Sequence, residues 1–411
     1  MKQSKITFLT SVGAGLEYYD LVIYSLLANF IGKQFFPSSN HVATLFATFG
    51  VLALSNIIRP IGGVIFGIFG DRFGRKNVFA NTLLWMSFVT FLMGLIPNFA
   101  AIGLIATILF SLCRILQAVF FGAELPGALT LLSEHIDKKR HGLHFGFMIA
   151  AVGLGVSLGS FVNWVLTSNL TESQMLAWGF RIPFLLGGGL ALVGFYIRKH
   201  IPETPAFLAK QKSNLKLDSA VIKQHIWQVL NVMGILLFPA SLITFKLILP
   251  TYLHDFYKYP FSDIYLVTTC GYIWSAILIP IFGWISDYVD RKILLIIAAL
   301  LMVIFSFPIF SLLQLGTRLA LFGFVIFCQT IIAMMAASYF VLLPQAFQTA
   351  IRYTGIAFSY NVTYTIVAVI PLVMNYIYGV LKQPNYVPLL FVLLAGVTVI
   401  NTFVFKPKFD G

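Results

Sequence analysis

Twelve stretches of this chain are each long and apolar enough to cross a lipid bilayer, and no other feature limits its possible folds so tightly. They fall at roughly 9–31, 42–70, 78–97, 101–132, 143–167, 178–198, 227–253, 264–286, 293–313, 319–343, 353–379 and 387–405. In hydrocarbon only helices and closed barrels satisfy every backbone N–H and C=O. The runs are continuous instead of alternating every second residue, so helices are expected. Composition agrees: 59% of the 411 residues are hydrophobic and 10% charged. The first span holds Glu17 and Asp20 and has no small-residue cleavage site, so it reads as a span and not a signal peptide.

The net charge of +13 could serve nucleic acid, but the positions of the basic residues exclude that reading. With both termini on one side, the loops of that side hold 19 lysines and arginines and the opposite loops hold five; Arg59, Arg114 and Lys246 are left inside spans. Basic loops stay in the cytoplasm, so a multi-pass plasma-membrane protein, of the bacterial inner-membrane kind, with both termini cytoplasmic is expected. The longest polar stretch follows span six, where Pro202 and Pro205 stop the helix. It divides the chain into an N-terminal six-helix bundle (1–198), a cytoplasmic linker (199–226) and a C-terminal six-helix bundle (227–411).

The halves share a motif. Gly67-Ile68-Phe69-Gly70-Asp71-Arg72-Phe73-Gly74-Arg75-Lys76 follows span two, and Gly283-Trp284-Ile285-Ser286-Asp287-Tyr288-Val289-Asp290-Arg291-Lys292 follows span eight. Two parallel repeats related by an axis along the membrane normal can rock about a central site, which is alternating access. Cys113, Cys270 and Cys328 lie in apolar spans without metal-ligand spacing and read as small hydrophobes. There is no phosphate-binding loop or nucleophile–base spacing, so neither an enzyme nor a metal site is expected.

The first of these loops resembles the signature of the major facilitator superfamily. The second departs from it, with Tyr288 where Arg is expected and Asp290 where Gly is expected, which puts its gating role in doubt. Gly15-Leu16-Glu17-Tyr18-Tyr19-Asp20 with Tyr24, Arg59-Pro60-Ile61-Gly62-Gly63, Arg114-Ile115-Leu116-Gln117 with Glu124, Ser133-Glu134-His135, Trp178-Gly179-Phe180-Arg181-Ile182-Pro183 and Arg352-Tyr353-Thr354-Gly355 resemble its metabolite:proton symporter branch. That resemblance implies an all-α membrane fold, two pseudo-symmetric six-helix bundles, a monomer, and a substrate that is an organic acid or a zwitterion such as proline or betaine. A cytoplasmic ion pair usual in the branch is not expected at Pro344-Gln345-Ala346-Phe347. With six residues after Phe405, regulation through a C-terminal coiled coil is not expected either.

An ionisable residue at mid-bilayer costs about 2.5–3.5 kcal/mol or more, so each needs a partner or a task. Glu17, Asp20 and Tyr24 recur at helical spacing, and the face they form is expected to look into the central cavity. Each of Asp20, Glu17 and Glu124 has two readings: a permanent ion pair that locks helices, or a proton carrier whose charge follows its surroundings. Arg114 and Arg59 stay protonated and can clamp a carboxylate of the substrate or of the protein. Lys246 either snorkels to the outer surface or meets an anionic solute. Gln117, Tyr24, Tyr360, Asn361 and Tyr364 offer polar contacts to a solute, and Trp274 either stacks on it or faces lipid. Gly67, Asp71, Arg72, Gly74, Arg75 and Lys76, with Asp287 and Arg291, form the expected cytoplasmic gate, in which Asp71 caps a neighbouring helix N-terminus while Arg72, Arg75 and Lys76 hold the inward-closed arrangement through acidic partners.

The resulting expectation is a secondary active transporter, a proton-coupled symporter of a small anionic or zwitterionic metabolite, with the proton as coupling ion and no other cofactor. The alternatives are a sugar porter, a drug:proton antiporter, and a membrane sensor that does not transport.

Overall fold

Residues 3–73, 75–122, 124–199, 226–347, 352–382 and 386–405 are described by a computed structural model, and they fold into helices and short turns. In chain order the spanning helices are α1 (Gln3–Leu26, continued as Ala28–Phe35), α2 (His41–Phe73), α3 (Arg75–Leu95), α4 (Leu104–Phe121, continued as Glu124–His135), α5 (His141–Asn169) and α6 (Ile182–Lys199). The second half contributes α7 (Ile226–Tyr257), α8 (Phe261–Ser286), α9 (Arg291–Leu312), α10 (Arg318–Gln345), α11 (Arg352–Val367, continued as Ile370–Tyr376 and Ile377–Leu381) and α12 (Tyr386–Val404). Most of the expected linker, residues 200–225, lies outside the described residues.

Ten of these helices are long and apolar enough to cross a membrane. Of the other two, α1 is diluted by Lys5, Glu17 and Asp20, and α3 contributes the shorter apolar run Asn81–Leu95 among the described residues. Trp85, Leu393 and Phe403 are exposed on the outside, whereas Glu17, Asp20, Arg59, Arg114 and Glu124 are all buried. Apolar outside and charged inside is the arrangement lipid imposes.

Small residues set how closely the halves approach. A Cβ at Gly142 on α5 would overlap the carbonyl oxygen of Gly283 on α8. Without side chains there, the two backbones touch, which is how helices associate where no hydrophobic effect drives them together.

Contacts between the halves lie at both ends of the bundle. At the end that carries the chain termini, Asp287 Oδ1 accepts from the Gly142 N–H at 2.7 Å and Oδ2 from the Leu143 N–H at 3.1 Å. At the far end, Asp255 on α7 accepts from Asn29 Nδ2 at 3.0 Å and lies 3.0 Å from His41 Nε2. Tyr265 also donates to the Leu26 carbonyl at 2.6 Å there, and Asn375 to that of Val42 at 3.2 Å.

Candidate functional site

Between the two halves lies a cavity of about 90 Å³, where each ordered water needs about 10–15 Å³. That is space for several waters or one small metabolite. Arg59, Arg114 and Lys246 line it together with Asn56, Tyr18, Tyr339, Tyr360 and Tyr364, and among the described residues none that lines it is acidic.

Arg59 is 4% exposed, and its Nε and Nη2 have no hydrogen-bond partner. Its guanidinium rests over the rings of Phe121, Tyr364 and Tyr360, at 4.2, 5.3 and 5.4 Å from the centroids. The rings fix the plane, and the two unpartnered nitrogens form the edge that a carboxylate can engage with both oxygens. Arg114 is held more fully. Its Nη1 donates to the Leu21 carbonyl at 3.2 Å and to Gln117 Oε1 at 2.9 Å, and its plane lies 4.8 Å from the Tyr24 ring, which leaves Nε unpartnered.

Lys246 does not snorkel. The α7 helix runs through it unbroken, between Pro239 and Pro250, and Nζ sits 4.7 Å from the centroid of the Tyr272 ring at the cavity wall. Tyr360 and Tyr364 stack at 4.5 Å and both line the cavity.

Several expected contacts fall elsewhere. Trp274 is 40% exposed on the outer surface and donates to Thr330 Oγ1 at 3.0 Å; on α8 the cavity stripe passes through Ser275 and Ile279 instead. Asn361 is buried outside the cavity lining, and its Nδ2 donates to the Gly122 carbonyl at 3.4 Å. Tyr24 donates to the Thr48 carbonyl at 2.9 Å and Gln117 to Thr90 Oγ1 at 2.5 Å, so both sit behind the arginines.

The expected face of α1 is also corrected. Tyr18, Leu21 and Val22 line the cavity, whereas Glu17, Asp20 and Tyr24 do not. Neighbours in a helix point about 100° apart, so the charged stripe turns into the first bundle when Tyr18 takes the cavity side. There Asp20 accepts a hydrogen bond from Ser87, and Glu124 accepts one from Thr82. These α3 hydroxyls, with Thr90, were missed from sequence: serine and threonine are common in spans, and only the carboxylates opposite give them meaning.

At the end that carries the chain termini, Gly74 lies outside the described residues, as do the side chains of Asp71, Arg72, Arg75 and Lys76 and the surroundings of Gly67. The second loop is described, and its aspartate makes a contact between the halves. Asp287 caps the N-terminus of α5, and Arg291 Nη2 stands 3.5 Å from its Oδ1. The departures do not touch this contact, which needs only a carboxylate and backbone N–H groups. Tyr288 is exposed, and Asp290 accepts from the Lys292 N–H at 2.9 Å as the N-cap of α9. At the far end Lys33 donates to Glu172 at 2.7 Å, which holds that exposed carboxyl below its usual range.

The family model of the Major Facilitator Superfamily matches residues 7–370. The chain belongs to that superfamily. A Staphylococcus aureus (strain MSSA476) protein, provisionally named a proline/betaine transporter, is 33% identical over 381 residues, covering 89% of this chain and 80% of its own. The inner membrane metabolite transport protein YhjE of Escherichia coli (strain K12) is 29% identical, with 97% of this chain and 93% of its own covered. Among solved structures, a D-xylose-proton symporter superposes with a TM-score of 0.76 at 18% identity over 98% of each chain, a likeness of fold alone. As a superfamily member the chain is a multi-pass membrane transporter and not an enzyme, with twelve helices in two six-helix bundles.

Proposed function

We propose that this transporter is a proton-coupled symporter of a small carboxylate-bearing metabolite, an organic acid or a zwitterion, that works by rocking its two halves about the central cavity. The observation that carries this reading is the unpartnered Nε and Nη2 edge of Arg59, buried at a central cavity whose lining, among the described residues, holds three cationic side chains and no acid. A buried cation without a partner is costly, so the cavity is built for an anionic group to arrive with the solute. The staphylococcal relative's name adds zwitterions with a carboxylate to the candidates.

Coupling falls to a carboxylate, because arginine does not release its proton near neutral pH. Asp20 is the coupling residue in this reading, with Glu17 and Glu124 nearby in the same bundle, and Arg59, Arg114 and Lys246 receive the solute. In this reading the chain ends lie in the cytoplasm, which the excess of basic residues in the loops of that side supports, and the protein spans a bacterial plasma membrane. Purified protein in liposomes tests the whole reading. An imposed pH gradient, acid outside, should drive accumulation of a labelled acid or betaine from a screened panel, and uptake indifferent to both pH gradient and voltage would refute it.

A further inference from the structure

Asp20, the carboxylate assigned to the proton, is 1% exposed and does not line the cavity. Its Oδ2 accepts from Ser87 on α3, and its Oδ1 has no hydrogen-bond partner. Oδ1 lies against the backbone of Gly187 on α6, where a Cβ would overlap it and would stand 3.2 Å from Cγ2 of Thr90. A polar chain that starts at the cavity wall runs to the neighbouring turn of α3 without bonding Asp20: Arg114 donates to Gln117, Gln117 to Thr90, and Thr90 Oγ1 to the Met86 carbonyl, leaving the Thr90 methyl toward Gly187.

We infer that Ser87 and Gly187 are positioning residues that hold Asp20 in a slot of its own, apart from the solute and from the polar chain of Arg114, Gln117 and Thr90 that lines the way to the cavity. The inference rests on the proton-coupled reading above. Ser87 supplies the one hydrogen bond, and Gly187 supplies the space by having no side chain. An ionised carboxylate offers about four acceptor sites, and a buried charge with one of them filled and no cation beside it is expensive. The slot as built therefore holds the neutral acid, and the proton leaves only when the helices around it move.

The titratable groups on the surrounding helices are engaged elsewhere. On α1, Tyr19 donates to the Pro183 carbonyl at 3.0 Å and Glu17 is buried one turn away. On α4, Arg114 is bound to Gln117 and Leu21, and Glu124 to Thr82. His144 of α5 pairs with Thr7 at 2.9 Å, Arg181 before α6 donates to the Gly94 carbonyl at 2.9 Å, and Lys246 of α7 stays over Tyr272. Among the described residues no cation forms an ion pair with Asp20.

Infrared pH-difference spectra of the full chain in lipid test this without any solute, so their failure is separate from a failure of the transport reading. Wild type should show the C=O stretch of a neutral carboxylic acid that Asp20→Asn removes. In Ser87→Ala the band should change frequency and its titration midpoint should move, and Ser87→Thr, which keeps the hydroxyl, should restore both. Gly187→Ala should displace the band as well, with pH-driven uptake falling roughly tenfold or more because the carboxyl has shifted. Should Gly187→Ala fail to fold, the Ser87→Ala and Ser87→Thr pair decides alone. No such band in wild type, or a band and midpoint unmoved in Ser87→Ala, overturns the inference.

Discussion

Asp287 reaches across from the second half to accept the N–H of Gly142, 2.7 Å away, and with the N–H of Leu143 it caps the first turn of α5. The carboxylate thus meets the positive end of a helix dipole, and Gly142 admits it by lacking a side chain. Rocking the halves apart must break this contact. Asp287→Asn should weaken closure at this face, read as faster labelling of cysteines placed along α5, and Gly142→Ala should cost about 1–3 kcal/mol through overlap with Gly283. Unchanged labelling in Asp287→Asn would show that the cap does not hold the closed state.

Arg59 offers an edge and not merely a charge. Arg59→Lys keeps the charge but loses the two-nitrogen edge and the ring stacking, so solute affinity should fall by about 1.5–3 kcal/mol, roughly ten- to a hundredfold. Solute-induced thermal shifts across a concentration series measure it, and equal affinity in the lysine variant would remove the bidentate contact.

Asp20→Asn fixes a neutral side chain in the slot beside Ser87. Uphill uptake driven by a pH gradient should vanish while exchange of labelled for unlabelled solute persists. Normal accumulation by this variant would take Asp20 out of the coupling step.

Trp274 serves as a contrast, since it lies outside the cavity and bonds Thr330 at the surface. Trp274→Phe should leave the half-saturating solute concentration unchanged and cost only about 0.6 kcal/mol, the usual worth of a hydrogen bond between spans. A marked loss of affinity would put the ring back in the solute's path.

The exposed Lys33–Glu172 pair sets a small pH dependence. The folded carboxyl is held below its usual range, so the pair's contribution is complete above that range and is lost as pH falls through the folded value. Lys33→Ala should lower stability by no more than about 1 kcal/mol above roughly pH 5, and by less at lower pH. Denaturation midpoints of both forms across this range measure it.

Twelve spans, two matched halves and charges buried within the first were legible in the sequence, because hydrocarbon penalises unpaired polar groups wherever they fall. The chain therefore settled its fold and the residues worth watching: Asp20, Arg59, Arg114 and Lys246 had no cheap place to go. What it left open was direction. A helix face is defined only relative to its neighbours, so the packing of α1 decided that Tyr18 and not Asp20 looks into the cavity, and the packing of α8 decided that Trp274 looks out. The slot of Asp20 needed Ser87, Thr90 and Gly187 brought together from two further helices, and the cap on α5 needed Gly142 laid against Asp287. Serine, threonine and glycine are ordinary residues in any span, and only the approach of backbones in three dimensions gives these ones a partner.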